Sequence, residues 1–114
     1  MPELNIKSEK AGEGVAILRL SGFLDAHTFE ELDETINDLF DEGVYRIVAD
    51  LSGLEYISSA GAGVFIGALA MAQENQGNII IASPTENVYE VFELLGLTQI
   101  FTMADTAEAA VQSF

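Results

Sequence analysis

The sequence predicts an α/β domain with a mixed β-sheet of four to five strands backed by four helices, in the order ββαβαβαβα. Three observations carry this expectation. Two runs, Tyr45 to Ala49 and Ile79 to Ala82, are β-rich and apolar without alternation, as strands covered on both faces are. Between them, Ser59 to Asn75 is too long for a strand, rich in alanine and apolar nearly all round, which describes a crossover helix buried against a sheet. Ahead of them, Phe29, Leu32, Ile36, Leu39 and Phe40 fall at helical spacing. The strand-helix-strand unit is expected to be right-handed.

The elements follow in order. Leu4 and Ile6 alternate with Asn5 and Lys7, a half-exposed strand, and Val15 to Leu20 is its hairpin partner across Glu9 to Gly14, where glycines at 12 and 14 suit a turn. After Gly22, Asp25 is placed to cap the first helix, and Gly43 ends it. The strand from Tyr45 ends at Asp50. Ser83, Pro84, Thr85 and Glu86 read as a capping box with proline at the first helical position, Val88, Phe92 and Leu95 continue the helix, and Gly96 stops it. Gln99 to Thr102 is a short last strand, and Asp105 with Glu108 opens a terminal helix. No linker, low-complexity tract or repeat divides the chain, and its two prolines, Pro2 and Pro84, do not either, so residues 1–114 are read as one domain.

Four basic and nineteen acidic side chains give a net charge of −15, while 49% of the residues are apolar, so the chain folds around a real core despite its charge. The cations Lys7, Lys10, Arg19 and Arg46 are scattered, which leaves no footprint for nucleic acid or an anionic membrane. The absence of cysteine excludes thiolate metal sites and thiol nucleophiles, and His27 alone makes no imidazole site. The longest apolar stretch, Ala60 to Ala72, is too short to span a bilayer, and the N-terminus lacks a basic region followed by an apolar one. A cytoplasmic protein is the reading. The carboxylates Glu30, Glu31, Asp33, Glu34 and Asp38 on the first helix make either a solvated face or a surface that steers a basic partner.

Sites in open α/β sheets lie beyond the carboxyl ends of the strands. That edge here gathers Asp25, Asp50, Ser52, Ser58 and Ser59, most densely in a loop read as Asp50 to Gly61, DLSGLEYISSAG. Ser58 and Ser59 fall where the first N–H groups of a helix are unpaired and its dipole is positive, so a phosphate on either hydroxyl is locally favoured. The plainer reading is that one serine caps the helix and the other is merely small and polar. A serine hydrolase would need His27 as base, and no G-x-S-x-G elbow accompanies it. Gly61, Gly63 and Gly67 begin eleven residues after Asp50, too late for a dinucleotide turn, and read instead as letting the helix lie close to the sheet. Asp25 and Asp50 as a Mg²⁺ pair are as easily a helix cap and a loop brace.

Four stretches then match one pattern. Gly22, Phe23, Leu24 and Asp25 precede the first helix as G-x-L-D; RIVADLSGLEYISSAG, Arg46 to Gly61, is a strand with a phosphorylation loop; Gly77 to Ala82 is a later strand; and Val91, Phe92, Leu94, Leu95, Gly96 and Leu97 make a V…L…GL helix. On these motifs the chain resembles STAS domains, specifically bacterial anti-sigma factor antagonists, over nearly its whole length. The resemblance implies a STAS fold and a phosphoacceptor two residues before the loop glycine, which is Ser59, with Ser58 the alternative. It places Asp25, Asp50, Ser58, Ala60 and Gly61 around the phosphosite and assigns the partner surface to Asp25, Ser52, Tyr56, Ile57, Ser58, Ser59 and Gly63. It further implies a binding module rather than an enzyme, holding no cofactor or metal of its own. An anti-sigma factor that is an ATP-dependent serine kinase would bind the unphosphorylated form and release its sigma factor, and a PPM-type phosphatase would reverse the modification. The chain is then a monomer or weak dimer. A STAS component of another partner-switching circuit, in a stressosome or in phosphatase regulation, and a STAS domain binding a small ligand or nucleotide are the alternatives.

Overall fold

The computed structural model describes residues 3–114, so Pro2 lies outside the described residues. Its elements are β1 (Leu4–Lys10), β2 (Val15–Leu24), α1 (Phe29–Asp41), β3 (Arg46–Ile57), α2 (Ser59–Glu74), β4 (Asn78–Ala82), α3 (Glu86–Leu94), a short 3₁₀ turn at Leu97–Gln99, β5 (Thr102–Ala104) and α4 (Ala107–Gln112). The five strands lie side by side in sequence order. β1 runs antiparallel to β2, joined by a turn in which Gly12 and Gly14 both take positive φ, and the other three pairings are parallel, each bridged by a helix. The expected mixed sheet backed by four helices is therefore the fold.

Strand alternation assigns the two faces. Ile47, Ala49 and Leu51 of β3 and Ile79 and Ile81 of β4 point into a large core with Leu32, Ile36 and Leu39 of α1, Phe65 and Leu69 of α2, and Val88 and Phe92 of α3. Their neighbours Val48, Ile80 and Ala82, with Ile17 of β2, face the other way, under Ala107 and Ala110 of α4. Three helices thus cover one face, and one short helix covers part of the other. On that second face Arg19 of β2 sits opposite Asp50 of β3 and donates to its carboxylate at 2.6 Å, while a second guanidinium nitrogen bonds Glu9 of β1. Those hydrogen bonds, to Glu9 first and Asp50 second, raise the Arg19 pKa further above its ordinary value.

The structure corrects the loop read from Asp50 to Gly61. β3 continues through Asp50 to Ile57, pairing with β2 as far as Leu24 and Ile57, although β4 ends opposite Asp50. Two irregularities, between Arg19 and Ser21 and between Gly22 and Phe23, each place an extra residue on β3. Buried apolar residues therefore recur at Leu51, Leu54 and Ile57, a spacing of three that conceals a strand from any search for alternation. β2 is longer than expected as well, because it pairs along this extension as far as Leu24.

Three helix starts also move. α1 begins after Thr28, and Asp25 does not cap it: its carboxylate accepts from the His27 N–H at 2.9 Å, bracing the preceding turn. α3 is capped by Thr85 and not Ser83, and α4 by Thr106 and not Asp105, each threonine hydroxyl accepting from the N–H three residues on. Thr85 wins because its hydroxyl also donates to the Leu54 carbonyl at 3.1 Å, tying the helix start to the β3 extension, whereas the Ser83 hydroxyl is taken by the Asp105 carbonyl. The last strand comes later than Gln99, since Leu97 and Phe101 turn into the core, where Phe101 meets the rings of Phe65 and Phe92 edge-on.

Asp50 is almost completely buried and depends on Arg19 for its compensating charge. Arg19→Met keeps an apolar stem but removes that charge, and it should lower the unfolding free energy by about 1–3 kcal/mol, read from the midpoint of urea denaturation, with Arg19→Lys losing less.

Candidate functional site

The site grows from the far ends of β2 and β3. Leu24 is the last residue of β2 and pairs with Ile57, the last of β3; its carbonyl then accepts the Ser58 N–H at 2.9 Å. Ser58 is extended (φ −98°, ψ 171°), and its hydroxyl accepts from the Gly61 N–H at 3.2 Å, a helix N-cap. Gly61 fits only as glycine: a Cβ there would lie 2.6 Å from Leu24 Cγ and 3.0 Å from the Leu24 carbonyl oxygen. Ser59, the first helical residue, is exposed, and its hydroxyl makes no hydrogen bond among the described residues. The two adjacent serines are therefore unequal: Ser58 is spent on the backbone, and Ser59 presents a free hydroxyl at the positive end of a sixteen-residue helix with no acidic residue in its first turn.

Asp25 follows Leu24 directly and so stands at the same edge, half-buried, with the Thr28 hydroxyl accepting from its N–H at 2.9 Å and donating to the Phe23 carbonyl at 2.9 Å. Ala60 is half-buried beside Ser59. Tyr56 is 47% exposed, its ring 6.0 Å from that of Phe23 across the strand pair. Gly63 is exposed, and nothing lies within 4 Å of where its Cβ would be.

Three residues assigned to this site lie elsewhere. Asp50 is seven residues before Ile57, about 20 Å along an extended chain, and points to the α4 face, where Arg19 holds it. Ser52 donates its N–H to Asp50 at 3.0 Å and lines a groove on that same face with Lys7 and Arg19. Ile57 is 2% exposed, because the Leu24–Ile57 pair faces the helical layer, and offers no surface to a partner.

The reading of the three glycines needs a similar correction. Only Gly61 lets α2 approach the sheet; Gly63 and Gly67 face open space. They line a shallow groove of about 180 Å³ between α1 and α2, together with Asp33, Phe40, Val64 and Met71. The signal was present, since two and six steps of about 100° put residues 63 and 67 on the side of the helix away from 61. Beside them Ile66 and Met71 are 44% and 47% exposed, so α2 shows an apolar, glycine-bearing face that runs away from Ser59.

Comparison with known proteins bears on the family and the fold. The family model for the STAS domain matches residues 8–110. BtrV of Bordetella bronchiseptica, described as an anti-sigma factor antagonist, is 34% identical over 102 residues, 90% of this chain and 88% of that protein. An anti-sigma-B factor antagonist of Staphylococcus epidermidis is 28% identical over 91 residues, 80% of this chain and 84% of its own. Among solved structures, the unphosphorylated form of the anti-sigma factor antagonist SpoIIAA superposes with a TM-score of 0.85 at 25% identity, covering 96% of this chain and 95% of that one. The phosphorylated form of SpoIIAA, from Bacillus, superposes with a TM-score of 0.77 at 24% identity over 96% of this chain and 98% of that one.

The inequality of the serines has a direct thermodynamic consequence. Ser58→Ala removes the cap and should cost about 1 kcal/mol of stability, whereas Ser59→Ala should change stability by less than about 0.5 kcal/mol, both measured by thermal or urea unfolding.

Proposed function

The chain belongs to the STAS domain family, and from that membership we propose that it is an anti-sigma factor antagonist whose binding is switched off by phosphorylation of Ser59. The observation that carries the reading is the division of labour at the start of α2, where Ser58 caps the helix and the Ser59 hydroxyl stays free and exposed. In its unphosphorylated form the protein binds an anti-sigma factor through the edge formed by Asp25, Tyr56, Ser58 and Ser59 and along the Gly63 face of α2, and the sigma factor is released. The anti-sigma factor is a serine kinase that brings its own ATP. It transfers the γ-phosphoryl group to Ser59 Oγ, the hydroxyl proton departs, and ADP remains with the kinase. A PPM-type phosphatase returns the phosphoryl group to water. The chain itself is substrate and ligand in this cycle, with no catalytic group and no cofactor, and it acts in the cytoplasm.

The energetics suffice for such a switch. A phosphoserine adds roughly 1.5 to 2 negative charges. On the free protein, the helix N-terminus stabilises that charge by about 0.3–1 kcal/mol, so the fold has no reason to rearrange. Inside a packed interface, a charge without a partner costs about 2–5 kcal/mol. At about 1.4 kcal/mol per tenfold, that is roughly 30-fold to several thousand-fold in affinity. SpoIIAA, solved in both an unphosphorylated and a phosphorylated form, has the same fold in each and is consistent with a switch that acts on the surface.

The glycines of α2 fit the same reading. Alanine favours a helix interior over glycine by about 0.8–1 kcal/mol, and at Gly63 and Gly67 it would meet nothing. Glycine at both positions forgoes that stability while keeping the face flat enough for another backbone to approach.

Two binding measurements by titration calorimetry test the proposal. Ser59→Asp should weaken association with the cognate anti-sigma kinase by at least about 30-fold, with Ser59→Ala close to the parent; equal binding by Ser59→Asp would refute it. Gly63→Ala should raise the unfolding midpoint while weakening the same complex about tenfold, a pairing of effects that a purely structural glycine would not give.

A further inference from the structure

We propose that the crevice between the carboxyl ends of β4 and β5 binds an organic cation, an alkylammonium or guanidinium group. Topology first makes the crevice. β2, β3 and β4 each lead into a helix on the large-core face, whereas β5 leads into α4 on the other. The chains leaving β4 and β5, parallel neighbours in the sheet, therefore diverge to opposite sides, and in open α/β sheets such a divergence is where ligands bind. The space left has a volume of about 370 Å³, within the range of small-ligand sites, and is lined by Ser83, Pro84, Tyr89, Met103, Ala104 and Asp105.

A strained clamp ties together the two loops that border the crevice. Ser83 takes a left-handed conformation, φ 51°, unfavourable for a residue with a Cβ. It is kept there by two bonds across the gap, its N–H to the Ala104 carbonyl at 3.0 Å and its hydroxyl to the Asp105 carbonyl at 2.7 Å. Backbone strain held in place by surrounding contacts gathers at ligand sites. Here it fixes the spacing of two loops that no other hydrogen bond joins among the described residues.

The lining selects the ligand. Tyr89 shows 39% of its surface, and with Pro84 and the half-buried Met103 it forms an aromatic and apolar wall. Asp105 supplies an exposed carboxylate that has no ion-pair partner among the described residues, and no cationic side chain lines the space. An aromatic face beside a carboxylate is the chemistry that recognises an ammonium or guanidinium group. A net charge of −15 draws such a ligand in and repels anions. The site is one strand removed from Ser58 and Ser59, at the end of β4 instead of β3, and does not depend on their role.

The test is an amide NMR titration of the intact protein with n-butylammonium, with n-butanol as the uncharged control and with acetyl-Gly-Arg-Gly-amide. Saturable shifts centred on Ser83, Tyr89, Ala104 and Asp105 should appear with the ammonium and the peptide but not with the alcohol. Asp105→Asn should weaken them at least tenfold and Tyr89→Leu about fivefold, while Glu30→Gln with Glu34→Gln on α1 leaves them unchanged. Tighter binding of the peptide would assign the site to an arginine of a partner, and tighter binding of the free amine to a small metabolite; either result upholds it. Shifts that follow the α1 carboxylates, that appear equally with butanol, or that survive Asp105→Asn would overturn it. All three variants alter exposed side chains, and an otherwise unchanged spectrum verifies that each is folded.

Discussion

Gly61 has no room for a side chain, because its Cα rests against Leu24 where β2 ends, and α2 can start only from that seat. The seat exists because β2 and β3 continue to pair beyond the end of β4, with two bulges on β3 that bring Ile57 opposite Leu24, both facing the helical layer. Leu24 and Ile57 are both buried there, each contributing about 1.5–3 kcal/mol of apolar transfer. The polar consequences follow in sequence: the Leu24 carbonyl takes the Ser58 N–H, Ser58 is held extended, its hydroxyl caps the helix, and Ser59 is turned outward. A hydrophobic contact thus decides which of two neighbouring hydroxyls is available.

Charge gives that hydroxyl its leverage. The protein carries fifteen more negative than positive charges, yet α2 has no acidic residue in its first turn, and the acidic face belongs to α1. Among the few cations, Lys10 is paired with Glu42 at the end of α1, and Arg19, on the opposite face of the sheet from α2, is paired with Glu9 and Asp50. A phosphate on Ser59 would meet backbone N–H groups and a helix dipole, which settle it locally, but its charge would still face outward. On a surface already anionic, the comparatively neutral patch is where two further charges alter a partner's affinity most.

Much of this was legible in the sequence, for reasons that differ between elements. α1 declares itself through apolar periodicity, α2 through an alanine-rich apolar run too long for a strand, and β3 and β4 through short unbroken apolar runs between turn residues. The β3 extension did not, because each bulge adds a residue and turns the apolar period from two to three, a pattern neither strand nor helix templates recognise. Helix starts failed for another reason. Runs such as Ser83 to Glu86 and Ala104 to Thr106 offer several oxygens, and contacts distant in sequence choose among them, as the Leu54 carbonyl does for Thr85. At the site, Ser58, Ser59 and Gly61 stand together as the motif suggests, whereas Asp50 was misplaced because one hidden strand carried it to the other end of the edge and the other face. Ile57 stands at the site's end of that strand but turns its side chain into the helical layer.

The central claim is that Ser59 is the phosphoacceptor while Ser58 is structural. Incubating the protein with its cognate anti-sigma kinase and ATP, then locating the phosphate by fragment-ion mass spectrometry, tests it most directly. The account predicts a single phosphate on Ser59 and none on Ser59→Ala. A phosphate on Ser58, at another residue, or on neither serine after full turnover of an active kinase would contradict it.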